Sequence, residues 1–124
     1  MGFVCQGWED SRAYVKAGEA AGAPVILSAG PGARANMPVQ LWGEMFRELA
    51  RSASVPVVAH LDHGRTLEEC EAAIDAGFSS VMIDGSALPL EENIALTRAV
   101  TAAAQARGVD EALGARVVVV AQPR

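Results

Sequence analysis

The stretch Val55-Pro-Val-Val-Ala-His-Leu-Asp-His-Gly64 decides the fold, because an apolar run ends abruptly in two histidines and an aspartate. Its valines are β-branched and predict a buried strand. Thr66 follows at once and predicts a helix N-cap, with Glu69 three residues later completing a capping box. A polar cluster between a strand and a helix is typical of the carboxyl edge of a parallel sheet, where metal and proton-transfer sites lie.

Strands and helices alternate along the rest of the chain. We predict strands at 2–5, 24–27, 55–61, 79–83 and 117–121, and helices at 8–22, 38–53, 66–76 and 89–107. This alternation indicates an α/β fold built of parallel βα units with right-handed crossovers. A closed (β/α)₈ barrel takes about 250 residues. The 124 residues therefore predict either a small open sheet or about half of a TIM barrel.

Composition narrows the function classes. The net charge of -5 argues against a nucleic-acid or anionic-membrane partner. No apolar run is long enough to cross a bilayer and no signal-peptide pattern opens the sequence, so we expect a cytoplasmic protein. Cys5 and Cys70 are too few for a disulfide framework and are expected in the core. Leu41, Met45 and Leu49 share one face of a predicted helix and are expected to be buried.

Asp62 and His63 are the sharpest candidate pair. They suit a proton-transferring carboxylate beside a metal-binding imidazole; the alternative is a capping Asp and a His packed in a loop. Neighbours in an extended strand point to opposite faces, so both can face one pocket only if the backbone turns at the strand end. Catalytic zinc takes three protein ligands, so His63 alone could not hold it. His60, the other histidine, is interpreted as structural.

Two further segments have weaker signals. Asp84, in Met82-Ile-Asp-Gly-Ser86, follows the next predicted strand and could reach the same pocket. The alternative is an ordinary turn-forming Asp-Gly pair. Gly30-Pro31-Gly32 could cradle a phosphate at a helix start. It lacks the Lys and Ser/Thr of a P-loop, so we favour a plain glycine-rich loop over residues 28–36.

Two of these stretches together resemble a known family. Residues 55–64 are similar to the first signature of the class II, zinc-dependent ketose-bisphosphate aldolases. Residues 76–86, Ala-Gly-Phe-Ser-Ser-Val-Met-Ile-Asp-Gly-Ser, look like a second family stretch, and Leu-Glu-Glu-Asn-Ile at 90–94 continues the match. The resemblance covers most of residues 3–109. We therefore interpret 1–109 as the N-terminal half of an aldolase barrel and 110–124 as a divergent tail.

The resemblance implies a TIM barrel that cleaves fructose- or tagatose-1,6-bisphosphate reversibly to dihydroxyacetone phosphate and glyceraldehyde 3-phosphate, a lyase of carbohydrate metabolism and glycolysis. It implies that Asp62 is the catalytic acid/base on the hydroxyl that becomes the aldehyde. His63 would be one of three ligands of Zn²⁺, which polarises the ketone and stabilises the enediolate. Asp84 would be an alternative or second-site metal ligand. No nucleic-acid or membrane partner is implied.

The resemblance also implies that the other two zinc-binding histidines belong to the second half of the family barrel. Two principal hypotheses follow. One is an aldolase whose site this chain supplies in part. The other is a non-catalytic half-barrel that forms a homo-oligomer or binds a full-length aldolase, because a half-barrel leaves unpaired strand edges. A third is a different barrel enzyme that uses the Asp-His pair without the aldol reaction.

Overall fold

Strands and helices alternate strictly, apart from one extra short helix. The computed structural model describes residues 1–107 and the backbone of residues 118–121. The strands are β1 (Gly2–Val4), β2 (Val25–Ala29), β3 (Val57–Gly64), β4 (Ser80–Ile83) and β5 (Val118–Ala121). The helices are α1 (Trp8–Ala21), α2 (Pro31–Asn36), α3 (Val39–Ser52), α4 (Leu67–Asp75) and α5 (Leu90–Arg107).

The strands form a single parallel sheet in the order β1-β2-β3-β4-β5. Sequence order and spatial order coincide, as expected for consecutive βα units of a barrel. The register aligns Ser28 of β2 with His60 of β3, and His60 with Ser80 of β4. The predicted α/β architecture, with parallel βα units forming about half of a TIM barrel, is confirmed.

The described helices pack on one face of the sheet. Alternate strand residues with no or almost no exposed surface, such as Leu27, Leu61 and Val81, join helix residues such as Trp42 and Phe46 in one core cluster. The other face is open, since Ile26 of β2 is 37% exposed. We refer to this open side as the inner face. Both cysteines are fully buried and free, as predicted.

Two predictions for the segment 28–53 are wrong. The expected loop over 28–36 contains helix α2, with Gly30 as its N-cap and Pro31 at its first position, where a missing N–H costs nothing. A helix of six residues is too short to provide an anion-binding N-terminus, so α2 does not support the phosphate-cradle alternative. Helix α3 buries Trp42, Phe46 and Leu49, whereas Leu41 is 55% exposed. The larger aromatic side chains decide which face of α3 is buried.

The predicted tail, 110–124, lies outside the described residues apart from the backbone of β5, so the boundary at 109/110 stays a prediction. Strand β5 itself agrees with the strand predicted at 117–121. Across the described part of the chain, no helix is long and apolar enough to span a membrane.

Helices α3 and α4 approach closely at Gly43. A Cβ added there would overlap the carbonyl oxygen of Ala76 and lie 2.8 Å from its Cβ. We expect Gly43→Ala to lower the free energy of unfolding by about 1 to 3 kcal/mol through overpacking. Gly32→Ala is the matched control: nothing lies within 4 Å of its added Cβ, and helix propensity favours alanine. Urea unfolding of both variants checks this, and equal stabilities would contradict the packing described.

Candidate active site

The alternation of β3 places its polar residues on the inner face. Ala59 and Leu61 point into the core, and His60 and Asp62 line a cavity of about 380 Å³ on the opposite side. Residues of β1, β2 and β4 complete the lining, including Ser28 and Ser80. Asp62 thus lies at the carboxyl end of a central strand and faces an open cavity, which is where sites in parallel sheets form.

His60 belongs to this cavity. Its Nδ1 lies 2.8 Å from the hydroxyl oxygen of Ser80, directly across the sheet. Burial lowers the pKa of the His60 imidazole, and the nearby Asp62 carboxylate opposes that shift. The neutral ring is therefore favoured at this position. The sequence alone leads us to interpret His60 as structural; because side chains alternate along a strand, its spacing of two from Asp62 places both on the same face.

Strand β3 continues through Gly64, so the strand end predicted at Leu61 is wrong, and the backbone turns at a bulge within the last residues of the strand. His63 has a φ of +53° and is the one non-glycine residue with a positive φ in the described chain. The pairing of β3 with β4 shifts register between Leu61 and Gly64, as at a β-bulge. In consequence, Nε2 of His63 lies 3.8 Å from Oδ1 of Asp62. The two side chains therefore lie close together, and Asp62, but not His63, is among the residues that line the cavity.

Asp84 reaches the same place from β4. Its Oδ2 lies 2.8 Å from Nδ1 of His63, and its Oδ1 accepts hydrogen bonds from the hydroxyl and the backbone N–H of Ser86, at 2.6 and 3.1 Å. The Ser86 hydroxyl and the His63 ring lower the pKa of Asp84 to about 2. At neutral pH the Asp84 carboxylate can only accept, so this contact places a proton on Nδ1 of His63, and in the neutral ring Nε2 then carries the lone pair.

The carboxylate of Asp84 makes two kinds of contact. The hydrogen bonds to Ser86 are those of a turn-forming Asp, and the contact with His63 joins Asp84 to the site. One oxygen serves the turn and the other serves the imidazole. Forming the turn and contacting His63 are therefore compatible roles for Asp84.

The start of α4 fixes the other side of this turn. The hydroxyl of Thr66 accepts from the backbone N–H of Glu69 at 3.2 Å, as the N-cap prediction requires. The Glu69 carboxylate accepts from the backbone N–H of Arg65 at 2.7 Å rather than from that of Thr66. This is a displaced capping box, and it ties the turn after β3 directly to α4.

The donor set suits one corner of a zinc site. An imidazole whose second nitrogen is oriented by a carboxylate is a common metal-ligating unit, and the His63 side chain is 42% exposed. Within the residues that the structure describes, no group of three His, Cys, Asp or Glu side chains is placed to hold a metal. The described chain therefore fits one ligand of a catalytic zinc site and does not complete it.

Comparison with known proteins identifies what this chain resembles. The family model described as fructose-bisphosphate aldolase class-II matches residues 1–111. A crystal structure of the YdjI aldolase from Escherichia coli K12 superimposes with a TM-score of 0.85 and 32% identity, over 99% of this chain and 45% of that one. A putative fructose-1,6-biphosphate aldolase from Coccidioides immitis gives 0.77 and 33%, over 87% and 38%.

Two curated relatives give the same picture. The fructose-bisphosphate aldolase of Treponema pallidum is 45% identical over 104 residues, covering 80% of this chain and 31% of the relative. The 6-phospho-5-dehydro-2-deoxy-D-gluconate aldolase of Bacillus licheniformis is 64% identical over 58 residues, covering 47% and 20%. The chain thus spans less than half the length of each of these proteins.

The low pKa of Asp84 predicts a pH dependence of stability. An acid whose pKa falls from 3.8 unfolded to about 2 folded stabilises the fold above pH 3.8, and this contribution disappears as the pH drops to about 2. The stability difference between the unsubstituted chain and Asp84→Asn should therefore shrink across this window. Ser86→Ala removes the hydrogen bond that contributes most to the low pKa of Asp84. The pH range over which the stability difference shrinks should therefore become narrower. Urea unfolding from pH 2 to 5 tests this, and a pH-independent difference would contradict it.

Proposed function

Because the chain belongs to the class II fructose-bisphosphate aldolase family, we propose that it supplies the Asp62–His63 part of an active site for zinc-dependent aldol cleavage. The observation that carries the proposal is the meeting of Asp62, His63 and Asp84 at the carboxyl ends of two neighbouring strands, beside an open cavity. Family membership alone would not establish that these side chains converge.

Asp62 is the proposed proton-transferring group. Its carboxylate lines the cavity, and 26% of the Asp62 side-chain surface is exposed. A hydroxyl of a bound substrate can therefore approach it. In aldol cleavage a hydroxyl loses its proton and its carbon becomes a carbonyl, while the adjacent carbon–carbon bond breaks and its electron pair passes to the ketone side as the enediolate. A carboxylate within hydrogen-bond reach accepts that proton, and returns it in the reverse direction.

His63 is the proposed zinc ligand, through Nε2. Asp84 holds the proton of the ring on Nδ1, and so leaves Nε2, which lies 3.8 Å from Oδ1 of Asp62, as the nitrogen available to a metal. When bound, zinc supplies a Lewis acid that polarises a carbonyl oxygen. The remaining ligands come from outside the described residues, because His63 provides one imidazole. Asp84 is engaged by Ser86 and His63, which favours an orienting role over direct ligation.

The proposed substrate is a phosphorylated ketose, fructose- or tagatose-1,6-bisphosphate, cleaved to dihydroxyacetone phosphate and glyceraldehyde 3-phosphate as a step of carbohydrate metabolism. A second candidate is 6-phospho-5-dehydro-2-deoxy-D-gluconate, the compound named in the Bacillus licheniformis relative. It is supported by the 64% identity over the 58 residues that align with that relative. Assaying the three compounds side by side separates these substrates.

The non-catalytic alternative has its own support. Val4 and Ile26 on the inner face are 54% and 37% exposed, and the outer edge of β1 pairs with no strand among the described residues. Such an edge and face favour association with a second copy of the chain or with a full-length aldolase. Native mass measured beside zinc content distinguishes this hypothesis from the catalytic one.

Zinc retention and cleavage rate, measured together, test the proposal. We expect His63→Ala to lose zinc, and Asp62→Asn to retain zinc while losing a factor of about 100 to 10,000 in cleavage rate, the usual contribution of general acid–base catalysis. Asp75→Asn is the matched control, because Asp75 lies on the surface of α4 and binds Arg107 at 2.7 Å. It should change neither quantity.

Two results would contradict the proposal. The first is a protein, assembled as it occurs, that retains no zinc after desalting and cleaves none of the three substrates. The second is an Asp62→Asn variant that cleaves as fast as Asp75→Asn. The first refutes the catalytic site as a whole, and the second refutes the role of Asp62 alone.

A further inference from the structure

Arg34 lies beneath the turn that holds Asp62 and His63. It belongs to the last turn of α2, and only 10% of its side-chain surface is exposed. Its Nη1 donates to the carbonyl oxygen of Ala29 at 2.6 Å and to that of Asp62 at 2.8 Å. Its Nη2 donates to the carbonyl oxygen of His63 at 3.2 Å. One guanidinium therefore joins the ends of β2 and β3.

The helix that carries Arg34 is itself anchored. Ala33 is buried, and its carbonyl oxygen accepts a hydrogen bond from Nε1 of Trp42 at 3.2 Å. Trp42 has no exposed surface and belongs to the core cluster. The position of the guanidinium is thus set by the core rather than by the turn that it contacts.

Burying an arginine costs free energy unless its charge and its donors are matched. Three carbonyl oxygens receive donors, and Glu69 of the displaced capping box lies 4.0 Å from Nη2. None of these donors goes to the backbone of α2, so the helix itself does not explain why Arg34 is buried. The contacts of Arg34 are explained by the backbone that it holds, in which His63 has its unusual φ of +53°.

We propose that Arg34 is the positioning residue of this site: its forked guanidinium fixes the carbonyl oxygens of Asp62 and His63, and thereby holds the His63 ring with Nδ1 on Asp84 and Nε2 on the side of Asp62. The inference deepens the proposed function, since the site it positions is the proposed aldolase site. Lysine could not take this role, because a single ammonium cannot span three carbonyl oxygens as a planar fork does.

The two histidines allow a direct spectroscopic test. The ¹⁵N resonances of each ring report which nitrogen carries the proton, and they are recorded at a pH well above the ordinary histidine pKa of about 6.5. In the unsubstituted chain we expect His63 in a single Nδ1–H form. Folded Arg34→Met and Arg34→Lys should lose that single form, while the His60 signals stay unchanged because His60 binds Ser80 instead.

Arg51→Met is the matched control. Arg51 is 59% exposed and contacts Glu48 at 3.7 Å on the surface of α3, so its removal should leave both histidine spectra unchanged. Circular dichroism establishes that each variant is folded. The proposal is overturned if either folded Arg34 variant keeps the unsubstituted His63 signals.

If neither Arg34 variant folds, the unsubstituted protein decides the question. A guanidinium bound to three carbonyl oxygens should give separately resolved Nη signals with slowed hydrogen exchange, whereas Arg51 should give averaged ones. Averaged Arg34 signals would overturn the proposal. None of these spectra needs zinc or substrate, so a failure of the proposed aldolase function and a failure of this inference are separately visible.

Discussion

The backbone of His63 has a φ of +53°, a conformation that residues with a side chain rarely adopt, and the geometry of the site depends on it. A continued strand would send Asp62 and His63 to opposite faces of the sheet. The turn instead leaves Asp62 on the inner face and carries the His63 ring to Asp84. Such a conformation costs about 1 to 3 kcal/mol, so the surrounding contacts must offset it.

Those contacts come from both sides of the turn. A Cβ on Gly64 would lie 2.9 Å from Leu61 Cδ2, 3.0 Å from Cys70 Sγ and 3.1 Å from the Met82 carbonyl oxygen, so any larger residue there would require these neighbours to shift. The backbone N–H of Asp84 donates to the carbonyl oxygen of Gly64 at 2.7 Å. The turn is thus pinned to β4 at the point where Asp84 meets His63.

The sequence predicts much of this fold because its signals are local. The apolar runs, the Thr66 cap and the alternation of strands and helices each depend on a few neighbouring residues, and each is found. The failures need tertiary information. Both Leu41 and Trp42 fit a helical stripe on α3, and only packing decides between them. Gly30 and Gly32 make the segment of α2 look like a loop in the sequence. The helix is held by a hydrogen bond from the core residue Trp42.

The site follows the same division. Asp62, His63 and Asp84 can be picked out as strand-end residues, but their meeting requires the register of β3 with β4 and a backbone turn that no spacing predicts. Arg34 carries no sequence signal at all, since its role arises from three carbonyl oxygens on two strands. The proposed proton transfer by Asp62 and the proposed zinc binding by His63 both require this turn.

The most direct test of the account is the backbone conformation at His63 in solution, measured from the intraresidue distance between its amide and α protons and from their scalar coupling. A positive φ brings those protons close, so a strong intraresidue nuclear Overhauser effect is predicted at His63 and a weak one at the strand residues before it. A weak effect at His63, with the coupling of an extended strand, would contradict the account, because the two side chains could not then share one site.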